Sequence, residues 1–212
     1  MKKLSIIIAA SLVFFLFSCG EKIDEIKKVA EIASNAEKYS EQAAKSTDEA
    51  EKIIKERKAK GDTLAMPYKE LQAYLPASID GYTVDNTDGQ STQMGEFSLS
   101  NGKRNFKKAD GSFVEVELTD YNMAYGIYQS IAFWAMANIS SENDEEMQKT
   151  FKPGYDRTVG FETLKKKDSK NAEVVYAIGY RFILRVTADK QNSTDFVKQV
   201  AEKVNIKKLS KM

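Results

Sequence analysis

Cys19 is the sole cysteine of the chain, and there is no histidine. Those two counts narrow the available chemistry. Without histidine there is no Ser-His-Asp triad, no Cys-His pair and no HExxH zinc site. Acid–base work would fall to carboxylates, lysine or tyrosine. Cys19 ends Leu16-Phe17-Ser18-Cys19, behind the basic pair Lys2-Lys3 and the apolar run Leu4–Phe17. A charged start, a short apolar stretch and a small residue at the cut have the layout of a secretory signal. The run is short for a ~30 Å hydrocarbon core, which takes about 20 apolar residues. A thiol is the one side chain nucleophilic enough to be alkylated there under mild conditions. Cys19 is therefore a candidate for modification, and once modified it would leave no thiol for a disulfide or a metal. An incidental cysteine behind an ordinary cleaved signal is the alternative.

A second group with chemical promise lies in Tyr121–Ile139, the densest aromatic and methionine cluster. Met123, Tyr125, Tyr128 and Trp134, with Met136, could line an apolar groove for a lipid, a peptide or a partner. The same spacing fits a core helix laid on a sheet, and that reading is preferred. The acidic run Glu142, Asp144, Glu145, Glu146 lacks the alternation and glycine of a calcium loop and reads as a solvated helix N-terminus. Asp85-x-x-Asp88-Gly89 reads as a turn with tolerated acids. Lys165-Lys166-Lys167 and Lys207-Lys208 read as solubilising spots near strand ends. Lys103-Arg104 is conceivable as an anion site beside Tyr82 or Tyr121. No phosphate-loop, dinucleotide or nucleophile-elbow string occurs, so no catalytic residue, metal ligand or cofactor is expected, and the chain is read as not an enzyme.

These residues are positioned by two different kinds of sequence. From Glu21 to about Lys60 the chain is rich in Ala, Glu and Lys, with no Gly, Pro, Phe or Trp. Val29, Ile32, Ala36, Tyr39, Ala43, Ser46, Ala50 and Ile53 follow a 3-4 spacing, which predicts a long helix with a thin coiled-coil seam. Three uses stay open: a spacer or tether, self-association through residues 21–60, and packing back on the globular part. Gly61-Asp62 and Met66-Pro67 end it.

From Pro67 aromatics, β-branched residues and turn signals take over. Pro67–Tyr74 reads as a short helix. Gly81–Thr87, Thr92–Ser100, Arg104–Lys108 and Ser112–Tyr121 read as strands, broken at Asp88-Gly89, Asn101-Gly102 and Asp110-Gly111. Met123–Ile139 reads as an apolar helix, with Glu142–Lys149 as a polar turn or short helix. Thr158–Lys166, Ala172–Gly179 and Tyr180–Ala188 form a second strand set. Ser193 or Thr194 is expected to cap a last helix through Val204.

Leu16-Phe17-Ser18-Cys19 resembles the lipobox of bacterial lipoproteins, with Phe17 bulkier than the usual residue there. The resemblance implies a diacylglycerol thioether on Cys19, cleavage after Ser18, acylation (palmitate among the acyl chains) and a membrane attachment through that lipid. Gly20, where enteric sorting would read Asp as retention, implies the outer membrane. From Leu75-Pro76 and Gly81-Tyr82, through Thr92-Gln93-Met94-Gly95 and Gly154-Tyr155, to Gly179-Tyr180-Arg181-Phe182, the order of features is similar to a loose group of bacterial envelope proteins that bring no known activity. The element order is also similar to PsbP-like α/β/α sandwiches, a likeness of fold that gives no function.

The expectation is a signal peptide over 1–18, a lipid-anchored helical stalk over 19–62, and an α+β domain over 67–212 whose antiparallel sheet is packed with helices, α/β/α sandwich-like. Its expected role is non-catalytic binding of an envelope protein or other envelope partner. Carriage of an apolar ligand or lipid, and a carboxylate- or lysine-based enzyme, are the alternatives. With 32 basic and 31 acidic residues the net charge is +1, so no electrostatic footprint for nucleic acid exists.

Overall fold

Alternation carries the sheet. In Phe113–Asp120 (β3) Val114, Val116 and Leu118 are buried on one face while Glu115 and Glu117 stay half-buried on the other, the period-two pattern of a strand with one covered side. The computed structural model describes residues 47–212, except residues 96, 137 and 168–169 and the side chain of Trp134. The signal segment, Cys19 and the heptads from Val29 to Ser46 lie outside the described residues.

A helix over residues 47–59 (α1) is followed by Tyr68–Tyr74 (α2), Thr83–Met94 (β1), Phe97–Lys107 (β2) and β3. Tyr125–Met136 (α3) then leads to Ser140–Glu142 (β4), Glu146–Phe151 (β5), Thr158–Lys165 (β6), Ala172–Ile178 (β7) and Phe182–Ala188 (β8). Asp195–Glu202 (α4) and Ile206–Leu209 (α5) close the described fold. All the strands form one 8-stranded antiparallel sheet in the order β1-β2-β3-β8-β7-β6-β5-β4. Two meanders meet where β3 pairs with β8, and α3 carries the chain from the middle of the sheet to its far edge.

One face carries the main core: Val114, Val116 and Leu118 with Val174, Phe182, Leu184 and Val186, covered by α2, α4 and α5. Each such side chain contributes roughly 1.5–3 kcal/mol by leaving water. The opposite face of β6–β8 packs Val175, Ala177 and Ile183 against Tyr128 and Ala132 of α3. Beyond α3 that face is a ladder of charge, with Lys103–Glu115 at 3.1 Å and Arg185 between Glu117 and Glu173.

The expected fold class needs correcting. An eight-stranded antiparallel sheet with short helices dominates, and no long N-terminal helix is present among the described residues. What is described of that region, α1, lies against the domain: Ala50 is fully buried, Gln129 Nε2 reaches Thr47 Oγ1 at 3.4 Å, and Tyr180 donates its hydroxyl to Glu49 at 3.0 Å. Ala50, the small seam residue that is described, is buried against the domain.

Two of the expected hairpin turns are mid-strand. Asp88-Gly89 and Asn101-Gly102 pair across β1 and β2, Gly89 opposite Gly102, and the reversal comes after Met94. Their glycines make room for close neighbours, not a turn. A Cβ on Gly89 would come within 2.6 Å of the Asn101 carbonyl oxygen and 2.8 Å of the Tyr68 ring of α2, and one on Gly102 within 3.0 Å of the Gln72 backbone nitrogen. Glycine in a strand here marks close approach of another element.

The acidic run also reads differently in three dimensions. Asn143 Oδ1 accepts from the backbone N–H of Glu145 and of Glu146, both at 2.8 Å, and turns the chain between β4 and β5. Lys166 and Lys167 pair with Glu142 (2.6 Å) and Glu145 (3.5 Å) across that hairpin. Arg104 is consumed structurally, donating to the carbonyls of Leu75 and Pro76. Thr194 precedes α4 but makes no cap bond, because its hydroxyl donates to the buried Glu162 instead.

A candidate ligand cleft beside the third helix

The sheet end nearest the Gly179-Tyr180 turn holds two neighbouring environments of opposite character. The first is a charge cluster buried at its centre. Arg181 and Asp120 are both buried, and the guanidinium grips the carboxylate in a fork, Nε to Oδ1 at 2.9 Å and Nη2 to Oδ2 at 2.8 Å. Nη1 of Arg181 reaches Asp62 at 2.7 Å. Asp120 also accepts from the backbone N–H of Met66 (2.8 Å) and of Asn122 (2.9 Å). Asn122, fully buried, donates to the Leu64 carbonyl at 2.7 Å. Burial alone would lower the Arg181 guanidinium, but the hydrogen bonds to Asp120 and the charges of Asp120 and Asp62 outweigh it and hold it above its ordinary value.

Arg57 of α1 completes the cluster. Its Nη2 donates to the Tyr180 carbonyl at 3.3 Å, while Nε and Nη1 have no hydrogen-bond partner among the described residues. Desolvation, then the nearby Arg181 charge, depresses its pKa. The cluster fastens α1 and the 60–66 segment to the ends of β3 and β8.

The second environment is a cleft of about 300 Å³. Val159 and Ala177, cross-strand partners on β6 and β7, form its floor, and Tyr128 and Met136 of α3 form one wall. The segment between β5 and β6 supplies Lys152, Tyr155 and Arg157 on the other side, and Tyr180 stands at the turn. That lining contains no carboxylate.

Local backbone geometry holds this cleft open. Arg157 (φ 50°) and Tyr180 (φ 55°) are both left-handed residues with side chains, a conformation that persists only where surroundings enforce it. The enforcement is visible. The Gly179 N–H donates to the Arg157 carbonyl at 2.9 Å, and Tyr180 is held by Arg57 at its carbonyl and by Glu49 at its hydroxyl. Tyr128 is buried and hydrogen-bonded to the Tyr180 backbone, and burial first, then the neighbouring Tyr125, pushes its phenol well above the usual range.

Of the residues expected in a groove, Tyr128 and Met136 line this cleft. Tyr125 is half-buried and stacks on Tyr128 at 5.8 Å, so it backs the wall. Met123 is half-buried just before α3, and the Trp134 side chain is not among those described. Lys152, Tyr155, Arg157 and Tyr180 were not foreseen as site residues. A bulky residue directly after glycine, as in Gly154-Tyr155 and Gly179-Tyr180, was the available signal.

Among the described residues no group of carboxylates is arranged to hold a metal ion. No protein-family model matches the chain, and no curated protein is similar to it in sequence. Among solved structures the chain is similar to the extracellular domain of PknH from Mycobacterium tuberculosis, with a TM-score of 0.45 and 10% identity, over 71% of this chain and 100% of that one. A likeness of that size carries no argument about activity.

Proposed function

We propose that this is a non-catalytic binding protein of the bacterial cell envelope, attached to the outer membrane through lipid on Cys19 and presenting its sheet domain to an envelope partner. One observation supports the non-catalytic part: no carboxylate lines the cleft, the Tyr128 phenol in its wall is held protonated by burial, and the Tyr180 hydroxyl is committed to Glu49. The buried acids lie elsewhere and are neutralised in place, Asp120 by Arg181 and Glu162 by Lys198. A partner has apolar area to meet on α3, where Ile127 and Phe133 are exposed. The anchor rests on the lipobox sequence. Cells fed radiolabelled palmitate should label the wild-type chain and not Cys19→Ser, with the labelled chain sedimenting with outer membranes. Equal labelling of both, or chemical turnover of any bound molecule, would refute the proposal.

The cleft favours a second reading, that the domain carries an apolar ligand. Its volume sits at the lower end for small-molecule sites. Mass spectrometry of the protein purified without detergent should then release one small molecule on denaturation.

A further inference from the structure

We infer that the cleft between α3 and the β5–β6 segment takes a short amphipathic anion: an apolar body on the Val159–Ala177 floor, and a carboxylate or phosphate head between Lys152 and Arg157. This rests on the carrier reading and adds charge selection to it. Three features of the site point the same way.

The cleft is apolar within and cationic at its mouth. Val159, Ala177 and Met136 offer no hydrogen bond to a polar ligand, so the interior rewards an aliphatic or aromatic body. Lys152 and Arg157 are exposed and have no ion pair among the described residues, unlike Lys103, Lys166, Arg181 and Lys198, each of which has a carboxylate partner. Asp156 stands between them in sequence but is exposed and outside the lining.

Arg157 is also placed before any ligand arrives. Its left-handed backbone is pinned by the Gly179 N–H, so its Cα does not need ordering on binding. The planar guanidinium suits a carboxylate or phosphate, which it can grip through two parallel N–H bonds.

The charge behind the wall has the same sign. Arg57 lies beyond Tyr128 and Tyr180, buried and incompletely hydrogen-bonded, and its field already acts on the Tyr128 hydroxyl. An anion at the mouth meets two cations, Lys152 and Arg157, while Arg57 behind the wall shares the field of Asp62 and Asp120, and the acid nearest the lining is Glu49 on the Tyr180 hydroxyl. A cation would meet none of the buried acids directly, since Asp120 is enclosed by Arg181.

Size limits the body: a cleft of about 300 Å³ lies at the small end of ligand sites and suits a short chain such as octanoate. The test is equilibrium dialysis of radiolabelled octanoate, octyl phosphate and 1-octanol against the full chain in lipid nanodiscs, with empty nanodiscs as blank. Octanoate or octyl phosphate should bind saturably, with 1-octanol about tenfold weaker, the worth of one charge-assisted hydrogen bond. Arg157→Gln should weaken the anions by about tenfold and leave 1-octanol unchanged, whereas Val159→Phe, which fills the floor, should weaken all three. If 1-octanol binds as tightly as the anions, charge selection falls and the carrier reading stands. If none binds, both fall. Should Val159→Phe fail to fold, the Arg157→Gln comparison decides alone.

Discussion

Arg181 and Arg157 flank the same turn and meet opposite fates. Arg181 is enclosed, forked onto Asp120 and bonded to Asp62. Arg157, tied to that turn only through its own carbonyl, points no charge at any acid among the described residues. One guanidinium is spent on holding β3, β8 and α1 together; the other is left over at the mouth of a cleft. The lesson is that burial converts a charge into architecture, because a desolvated ion must be satisfied inside the fold. An exposed one carries no such debt and stays available to a ligand.

The largest effect should come from breaking the buried side. Asp120→Ala removes the carboxylate while Arg181 stays buried, and strands the N–H groups of Met66 and Asn122 that donate to it. Removing one partner of a buried pair costs about 3–5 kcal/mol, a large share of the roughly 5–15 kcal/mol that holds a domain together. Urea unfolding should show a much lower midpoint. A loss below about 1 kcal/mol would mean the cluster is solvated and the contrast with Arg157 unfounded.

How much of this was legible in the sequence depends on the range of the interaction responsible. Val114, Val116 and Leu118 announce a strand with one buried face, and Asp110-Gly111 announces its turn, because alternation and turn chemistry are local. Asp88-Gly89 carries the same local signal and misleads, because its glycine makes room for the Asn101 carbonyl of β2 and for Tyr68, which arrives from α2. Glu142 to Glu146 look helical until Asn143 closes a hairpin on them, with Lys166 waiting just past the end of β6. The cleft was the least legible part. Tyr128 and Met136 were visible in an apolar helix, but Lys152, Tyr155, Arg157 and Tyr180 come from two separate loops that converge only through the pairing of β6 with β7.

A smaller effect should appear in alkali, on the wall shared by the two environments. The Tyr128 phenol has a folded pKa raised above its unfolded value of about 10, chiefly by burial. The folded state therefore holds its proton more tightly. The stability linked to that proton is fully present below about pH 10 and is lost as pH climbs toward the folded pKa. Urea midpoints of the wild type should fall between about pH 9 and about pH 11, and Tyr128→Phe should fall less steeply over that interval. Equal slopes would show that Tyr128 ionises freely and that the cleft wall is open to water.

The smallest expected effect sharpens the comparison most, because it separates a residue kept for folding from one kept for binding. Arg157→Gly removes the side chain at φ 50°. Relief of left-handed strain returns about 1 kcal/mol, while the added freedom of the unfolded chain costs about 0.4–1 kcal/mol. The two nearly cancel, and no side-chain ion pair among the described residues is lost. Urea stability should then stay within about 0.5 kcal/mol of wild type, even as octanoate binding falls as it does for Arg157→Gln. A strongly destabilised Arg157→Gly would place this arginine with Arg181, among the residues that build the sheet end, and would leave the cleft without its anion-binding group.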